Sequence, residues 1–363
     1  MTQIKKQSAN LFDGRDLFYF DDAKSALPAT RLADVRPAAE RPPVARMRLD
    51  SLTGDWISIA AARQNRAFLP PAHQCPLCPT TAENASELPD VFDVAVFENK
   101  SPSFGPVLAE VDDPNYAVVQ DLALGSTRDS IGRCEVVVFS PEHTGSLGGL
   151  PLERVRTVIE AWADRTANLN ALPGIRQVFV FENRGQEIGV TLHHPHGQIY
   201  SYPYVTPRTQ KLMQSLEKFG PDLFEQTLKF EQASERVLIK GENFTAYVPF
   251  AARWPIEIHL LPHRHVGSLA ELTDSERDEL AVIYKQLLSA LDRLYDTPTP
   301  YIAAWHQAPN VAGGENVRLQ LQITSPRRAA DKLKYLAGSE AAMGAWIGDV
   351  VPETIAANLL EVL

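Results

Sequence analysis

Two hydrophobic periods run through this chain, and the switches between them mark its elements. Cys134-Glu-Val-Val-Val-Phe-Ser140 is a short apolar run of the length a buried strand needs. Pro151 then opens a stretch in which Val155, Val158, Ile159 and Trp162 fall on one stripe, the spacing of a helix that buries a single face. Arg176 to Phe181 predicts another strand, and a further strand carries His194 to Tyr200. The same order recurs downstream. Pro255 to Leu261 is apolar and β-prone, and Thr273-Asp-Ser-Glu276 is a capping box ahead of a helix with Leu280, Ile283, Leu287, Leu291 and Leu294 on one face. Tyr301 to Trp305 and Val317 to Thr324 follow as strands.

The recurrence extends to individual residues. His143-Thr-Gly-Ser-Leu147 returns as His265-Val-Gly-Ser-Leu269, and His196-Gly-Gln198-Ile199 lines up with Gln320-Leu-Gln322-Ile323 at nearly the same offset. A duplicated α+β unit accounts for both matches. The first copy keeps histidines where the second has Arg318, Gln320 and Gln322, so only the first copy can perform histidine chemistry there. Ahead of both copies, residues 1–45 read as an irregular arm, with Ala26 to Pro43 rich in Ala, Pro, Arg and Asp and without a period. Pro70 to Pro89 reads as a loop.

With 363 residues, 44% of them hydrophobic, the chain has ample material for cores. A formal charge of -10 argues against a nucleic-acid partner, because neutralising a phosphate backbone needs a basic face. No run of 18 apolar residues is present, so no membrane span is expected, and Met1 to Asn10 lacks an apolar signal core. Three cysteines do not make a disulfide framework, which fits a reduced cytoplasm.

Two stretches carry candidate chemistry. Cys75-Pro-Leu-Cys78 places two thiolates close enough to chelate one ion, and zinc favours four sulfur or nitrogen ligands. On spacing alone two unrelated buried thiols remain possible, whereas a redox pair is disfavoured because no thioredoxin-like βαβ pattern surrounds them. Further ligands would come from His143 or from the cluster His193, His194 and His196. In His194-Pro-His196-Gly-Gln198 a strand would turn both imidazoles and the amide to one face. Neutral imidazole attacks phosphorus well and forms a labile N–P bond, provided an acceptor on the other ring nitrogen fixes the tautomer. Gln198 can donate to a phosphoryl oxygen as charge shifts, and Gly197 would let a phosphate approach the backbone.

At these residues the sequence resembles the galactose-1-phosphate uridylyltransferase family, the H-P-H-G-Q branch of the histidine-triad superfamily. The likeness runs from about Arg46 to Gly344 and includes Leu52-Thr-Gly-Asp-Trp56, Phe97-Glu-Asn99, Ser140-Pro-Glu-His143, Phe181-Glu-Asn183-Arg-Gly185 and Trp305-His306. It implies an α+β fold of two tandem histidine-triad-like units, mostly antiparallel sheet flanked by helices: residues 46–205 with the metal and nucleophile, and residues 206–363 as a degenerate unit with a sugar-phosphate clamp. It implies structural zinc on Cys75, Cys78, His143 and His194, with His196 as nucleophile and Gln198 as its phosphate partner. Asn183, Gly189 and Thr191 would touch the nucleotide phosphates, and Phe97 and Asn99 the uridine. Arg63 and Arg66 match arginines that reach the nucleotide from a neighbouring subunit, so a homodimer is implied. Lys334 and Glu340 would clamp the hexose phosphate.

Departures from the family pattern accompany the likeness. Where some relatives bind iron as a second metal, this chain has Leu212, His306, Gln320 and Gln322, so no second metal is expected. Ser339 replaces a tyrosine usual before the clamp glutamate, which leaves the acceptor sugar phosphate open. The reaction implied is ping-pong transfer of UMP from UDP-glucose to galactose 1-phosphate in a cytoplasmic enzyme, yielding UDP-galactose. Another nucleotidyltransferase of the superfamily, acting by adenylyl transfer or diadenosine polyphosphate phosphorolysis, and a non-catalytic nucleotide-binding protein are the alternatives.

Overall fold

The computed structural model describes residues 4–37, 40–65, 68–105 and 124–363. Among them one eleven-stranded sheet forms the backbone of the molecule, and every neighbouring pair in it is antiparallel. Its strands in chain order are β1 (Lys5–Asn10), β2 (Asp16–Asp21), β3 (Val94–Glu98), β4 (Arg133–Val138), β5 (Gln177–Arg184), β6 (His196–Tyr202), β7 (Val237–Lys240), β8 (Phe244–Tyr247), β9 (Ile256–Pro262), β10 (Tyr301–His306) and β11 (Gln320–Ser325). They lie across the sheet as β1-β2-β3-β4-β6-β5-β10-β11-β9-β8-β7. The helices are α1 (Leu152–Asn170), α2 (Pro207–Phe219), α3 (Leu223–Gln232), α4 (Asp274–Arg293) and α5 (Pro352–Leu360).

Read outward from the β5–β10 seam, the order repeats: β5, β6, β4 and β3 on one side answer β10, β11, β9 and β8 on the other. The segments that begin at His143 and His265 follow β4 and β9, and each continues through a one-turn 3-10 helix, Leu147–Gly149 or Leu269–Glu271, towards α1 or α4. Both helices bury their predicted stripes. Val155, Val158, Ile159 and Trp162 from α1 share a core with Leu280, Ile283, Leu287 and Leu291 from α4. Leu294 lies just past the end of α4. At the centre the rings of Trp162, Tyr284 and Trp305 pack with centroids 6.0 to 6.3 Å apart, and Phe139 meets Trp162 edge-on. Edge-to-face contacts of this kind add about 0.5–1.5 kcal/mol each beyond area burial. The predicted capping box forms: the Glu276 amide donates to Thr273 Oγ1 (3.3 Å), and the Thr273 amide donates to Glu276 Oε2 (2.7 Å).

The N-terminal arm departs from its expected irregularity. Lys5–Asn10 and Asp16–Asp21 form a hairpin that pairs with β3 and extends the main sheet. Leu11, Leu17 and Tyr19 are buried beside Leu77, Phe97 and Cys75. The fold neutralises the charges around this run: Arg15 pairs with Asp13 (2.7 Å) and with Glu87, and Arg133 pairs with Asp16 (2.5 Å). The described part of Ala26 to Pro43 carries no helix or strand and is tied down by ion pairs such as Arg31 to Asp21 and Arg41 to Glu98 (2.7 Å). A small sheet of Arg46–Leu49, Trp56–Ile59 and Thr127–Asp129 was not foreseen from the pattern; its second strand runs to within two residues of the 3-10 helix Ala61–Asn65 that carries Arg63. No helix among the described residues is long and apolar enough to cross a membrane.

Candidate functional site

The functional side chains converge on β6. This strand lies between β4 and β5, with Val138 opposite His196 and both Val136 and Phe181 opposite Gln198. Its burial alternates: Gly197, Ile199 and Ser201 are buried, while His196, Gln198 and Tyr200 are half-buried on the other face. Ile199 joins the core with α1, so the period of two turns His196 and Gln198 away from the helices. His194 lies ahead of the strand, so the alternation expected from 194 to 198 begins only at His196. Gly197 also has a different task from the one expected. It points into the core, where an added Cβ would stand 2.9 Å from Phe139 Cζ and 3.0 Å from the Phe181 carbonyl oxygen. Glycine is required there for packing rather than for phosphate access.

The ring of His196 is held by its own chain. Its Nδ1 lies 2.7 Å from the carbonyl oxygen of His194. A carbonyl accepts and cannot donate, so Nδ1 carries the proton and the ring lone pair belongs to Nε2. Gln198 is oriented in a similar way. Tyr200 donates from its hydroxyl to Gln198 Oε1 (3.3 Å), and Arg63 Nη1 donates to the Tyr200 oxygen (3.2 Å). With Oε1 engaged as acceptor, the amide NH2 is the end that can serve a ligand oxygen. Tyr200 was not foreseen as a site residue, although its position two residues after Gln198 puts it on the same face.

Cys75, Cys78, His143 and His194 come together, each with a ligand atom within 4.8 Å of all the others, and can hold a metal ion. His194 Nδ1 lies 3.7 Å from Cys75 Sγ and 3.4 Å from Cys78 Sγ, and His143 Nδ1 lies 3.6 Å from Cys78 Sγ. The far nitrogen of His194 donates to the Ser140 carbonyl (2.8 Å), which fixes the tautomer that offers Nδ1 to a metal. Burial pushes the His194 imidazole down to about 4. Burial and the neighbouring Cys75 push the Cys78 thiol up to about 12. A bound cation reverses that last preference, since a coordinating thiol ionises.

A cleft of about 830 Å³ opens over this face. Of the residues singled out in the sequence, Arg63, Phe97, Asn99, Asn183, Gly189, Thr191, His196 and Gln198 line it. Gly189 closes the one-turn helix Gln186–Ile188 at φ 85°, a left-handed conformation that favours glycine. Asn99 Oδ1 accepts the Ser101 amide (2.9 Å), and the Thr191 carbonyl accepts the Leu69 amide (2.8 Å). Arg63 lines the cleft of its own chain, whereas the resemblance had it reaching in from a neighbour. Arg66 lies outside the described residues. Lys334 and Glu340 do not line the cleft; they face each other (3.5 Å), and Lys334 also faces Asp349 (3.6 Å). Leu212, His306, Gln320 and Gln322 line a separate cleft of about 570 Å³, where the Gln322 amide donates to Gln320 Oε1 (3.1 Å) and Arg208 donates to Gln322 Oε1.

Comparison with known proteins places these features in context. The family described as galactose-1-phosphate uridyl transferase, N-terminal domain, matches residues 38–206, and its C-terminal domain matches residues 206–362. A galactose-1-phosphate uridylyltransferase of Streptomyces lividans is 43% identical over 320 residues, covering 84% of this chain and 81% of the relative. One from Thermotoga maritima is 34% identical over 326 residues, covering 87% and 98%. A solved structure titled "Structure of uridylyltransferase" superposes with a TM-score of 0.74 at 31% identity, covering 87% of this chain and 98% of that one.

Two outcomes follow from the site geometry. Gly197→Ala should cost about 1–3 kcal/mol by overpacking against Phe139 and the Phe181 carbonyl, read by denaturant unfolding; an unchanged midpoint would refute the packing role. In metal-free protein the depressed His194 value favours the neutral ring in the folded state. The associated stability is complete above about pH 6.5 and is lost as pH falls towards about 4, with a slope of up to about 1.4 kcal/mol per pH unit. Chelated protein unfolded at stepped pH should display this loss, and His194→Asn should flatten it.

Proposed function

The chain belongs to the galactose-1-phosphate uridylyltransferase family, and from that premise we propose that the cleft moves a uridylyl group from UDP-glucose to galactose 1-phosphate through His196. The observation that carries the reading is the His196 ring at the cleft wall, with Nδ1 bonded to the His194 carbonyl and the Gln198 amide on the same strand face. In the first half-reaction the Nε2 lone pair attacks the α-phosphorus. The bond from that phosphorus to the bridging oxygen breaks, and glucose 1-phosphate leaves with the electron pair. The imidazolium that forms keeps its proton on Nδ1 and donates it to the His194 carbonyl, which stabilises the new positive charge. In the second half-reaction a phosphate oxygen of galactose 1-phosphate attacks the same phosphorus, the N–P bond breaks, and the electron pair returns to Nε2. The Gln198 NH2 and a neighbouring cleft group such as Asn183 serve the nonbridging oxygens in both steps.

The metal in this reading is zinc. A tetrahedron with bonds of about 2.0–2.3 Å has edges of roughly 3.3–3.8 Å, and the 3.4 to 3.7 Å separations between the sulfurs and the imidazole nitrogens agree with it. Its part is structural: it pins the cysteine loop to the segment that carries the nucleophile. Phe97 and Asn99 take the uridine side of the cleft, and Gly189 and Thr191 the phosphate side. Lys334 and Glu340 are read as the hexose-phosphate clamp, and the chain as one subunit of a homodimer. Exposed Tyr335, Met343 and Ile347 around them favour a docked segment. A division near residue 205 into two units, and a cytoplasmic location consistent with free cysteines, complete the reading.

Intact-mass measurement after incubation with UDP-glucose should reveal a gain of one UMP on the native chain and none on His196→Gly. A gain of AMP from adenine nucleotides in place of UMP would give the activity to adenylyl transfer, and an adduct on His196→Gly would remove the nucleophile assignment. Cys75→Ser should lose zinc in elemental analysis and unfold at lower temperature; full zinc content in a stable variant would overturn the ligand set.

A further inference from the structure

A third cavity lies in the second half, apart from both clefts. Glu225, Leu228, Lys229 and Gln232 form one stripe of α3, and with Lys240 at the end of β7, His263 just past β9 and Arg318 ahead of β11 they line a hollow of about 470 Å³. Arg318 is 5% exposed, and among the described residues its Nε and Nη1 have no hydrogen-bond partner. A guanidinium does not deprotonate in a protein, so this charge stays, and an uncompensated buried charge costs several kcal/mol. The nearby acid offsets it only in part: Glu225 attracts Arg318 through its charge, but its carboxylate is held by Lys229 at 2.7 Å. His263 is held on both ring nitrogens: its Nδ1 donates to the Glu242 carbonyl (2.8 Å), and its Nε2 lies 2.8 Å from the Thr245 hydroxyl oxygen. The Gln232 amide also donates to Thr245 Oγ1 (2.8 Å). Three fixed cations, Arg318, Lys229 and Lys240, therefore face one carboxylate across the hollow.

We infer that this hollow binds a phosphate-class oxyanion, with Arg318 as the buried donor and Lys240 as the second charge. The internal repeat sharpens the point. Arg318 stands two residues before Gln320, as His194 stands two residues before His196. Where the first half directs a neutral imidazole at thiolates, the second directs a permanent cation into a basic hollow. One position thus serves a cation in the first half and an anion in the second. The inference is independent of the uridylyl-transfer reading.

The test is thermal unfolding of the full chain in inorganic phosphate against chloride at equal ionic strength. The midpoint should rise by about 2–4 °C at saturating phosphate. Arg318→Met, which keeps the length of the side chain and removes the charge, should abolish most of that rise and should unfold no earlier than the native chain without phosphate. Phosphate held in the His196 cleft would act equally on both proteins, so an undiminished rise in Arg318→Met overturns the inference. Should Arg318→Met not fold, Lys240→Ala, an exposed change, carries the test by weakening phosphate at least about threefold; an unchanged affinity overturns it. Glu225→Gln should strengthen phosphate binding, and its weakening would make Glu225 the partner of Arg318 and sink the site. Glycerol phosphate in a parallel arm separates free oxyanion, active alone, from phosphate ester, active equally.

Discussion

His194 is the residue on which the geometry of the cleft depends, because it acts through two groups at once. Its ring turns to Cys75 and Cys78, and its carbonyl accepts the Nδ1 proton of His196. The anchor and the oriented imidazole are separated only by Pro195, whose fixed φ and missing N–H leave little freedom between them. The Pro195 carbonyl is in turn held by the Phe139 amide at 3.2 Å. Displacing the cysteine loop would therefore turn the His194 backbone, and with it the carbonyl that keeps the His196 lone pair on Nε2.

Around that pivot the sheet supplies the rest. Strand alternation separates β6 into a face that packs on α1 and a face that lines the cleft, which explains why Gly197 and Gln198, adjacent in sequence, answer to different demands. The small residue makes room for Phe139 below, and the amide lies at the cleft above. Tyr200 and Arg63 then decide which end of that amide is presented. Orientation at the site is thus transmitted through hydrogen bonds one or two residues long, each beginning at an element that the core already holds rigid.

Much of this was legible in the sequence because it rests on periodicity and on local motifs. The α1 and α4 stripes, the capping box at Thr273 and the internal repeat depend on residues within a few turns of each other. The cysteine pair, His143 and the H-P-H-G-Q stretch offered candidate metal ligands and a candidate nucleophile, and the fold brings Cys75, Cys78, His143 and His194 together. What escaped depends on long-range partners. The hairpin of Lys5–Asn10 and Asp16–Asp21 fell within the arm read as irregular; it is fixed by pairing with β3 and by Arg15 and Arg133 meeting distant carboxylates. Gly197 was misjudged because nothing local reveals the Phe139 ring beneath it. Lys334 and Glu340 were grouped with the site by motif, yet in a single chain they bond to one another.

The β5–β10 seam has a mechanical meaning. Tyr301 to Trp305 run antiparallel against Arg184 to Val180, so the two halves share one continuous hydrogen-bonded ladder. Proteins that close on their ligands commonly do so by swinging lobes about a flexible joint. Here the joint is itself a ladder beneath the packed rings of Trp162 and Trp305, and bending it would shear both. The wall that carries Asn183, His196 and Gln198 behaves as a template rather than a jaw: reactants settle onto a surface whose shape was set when the chain folded.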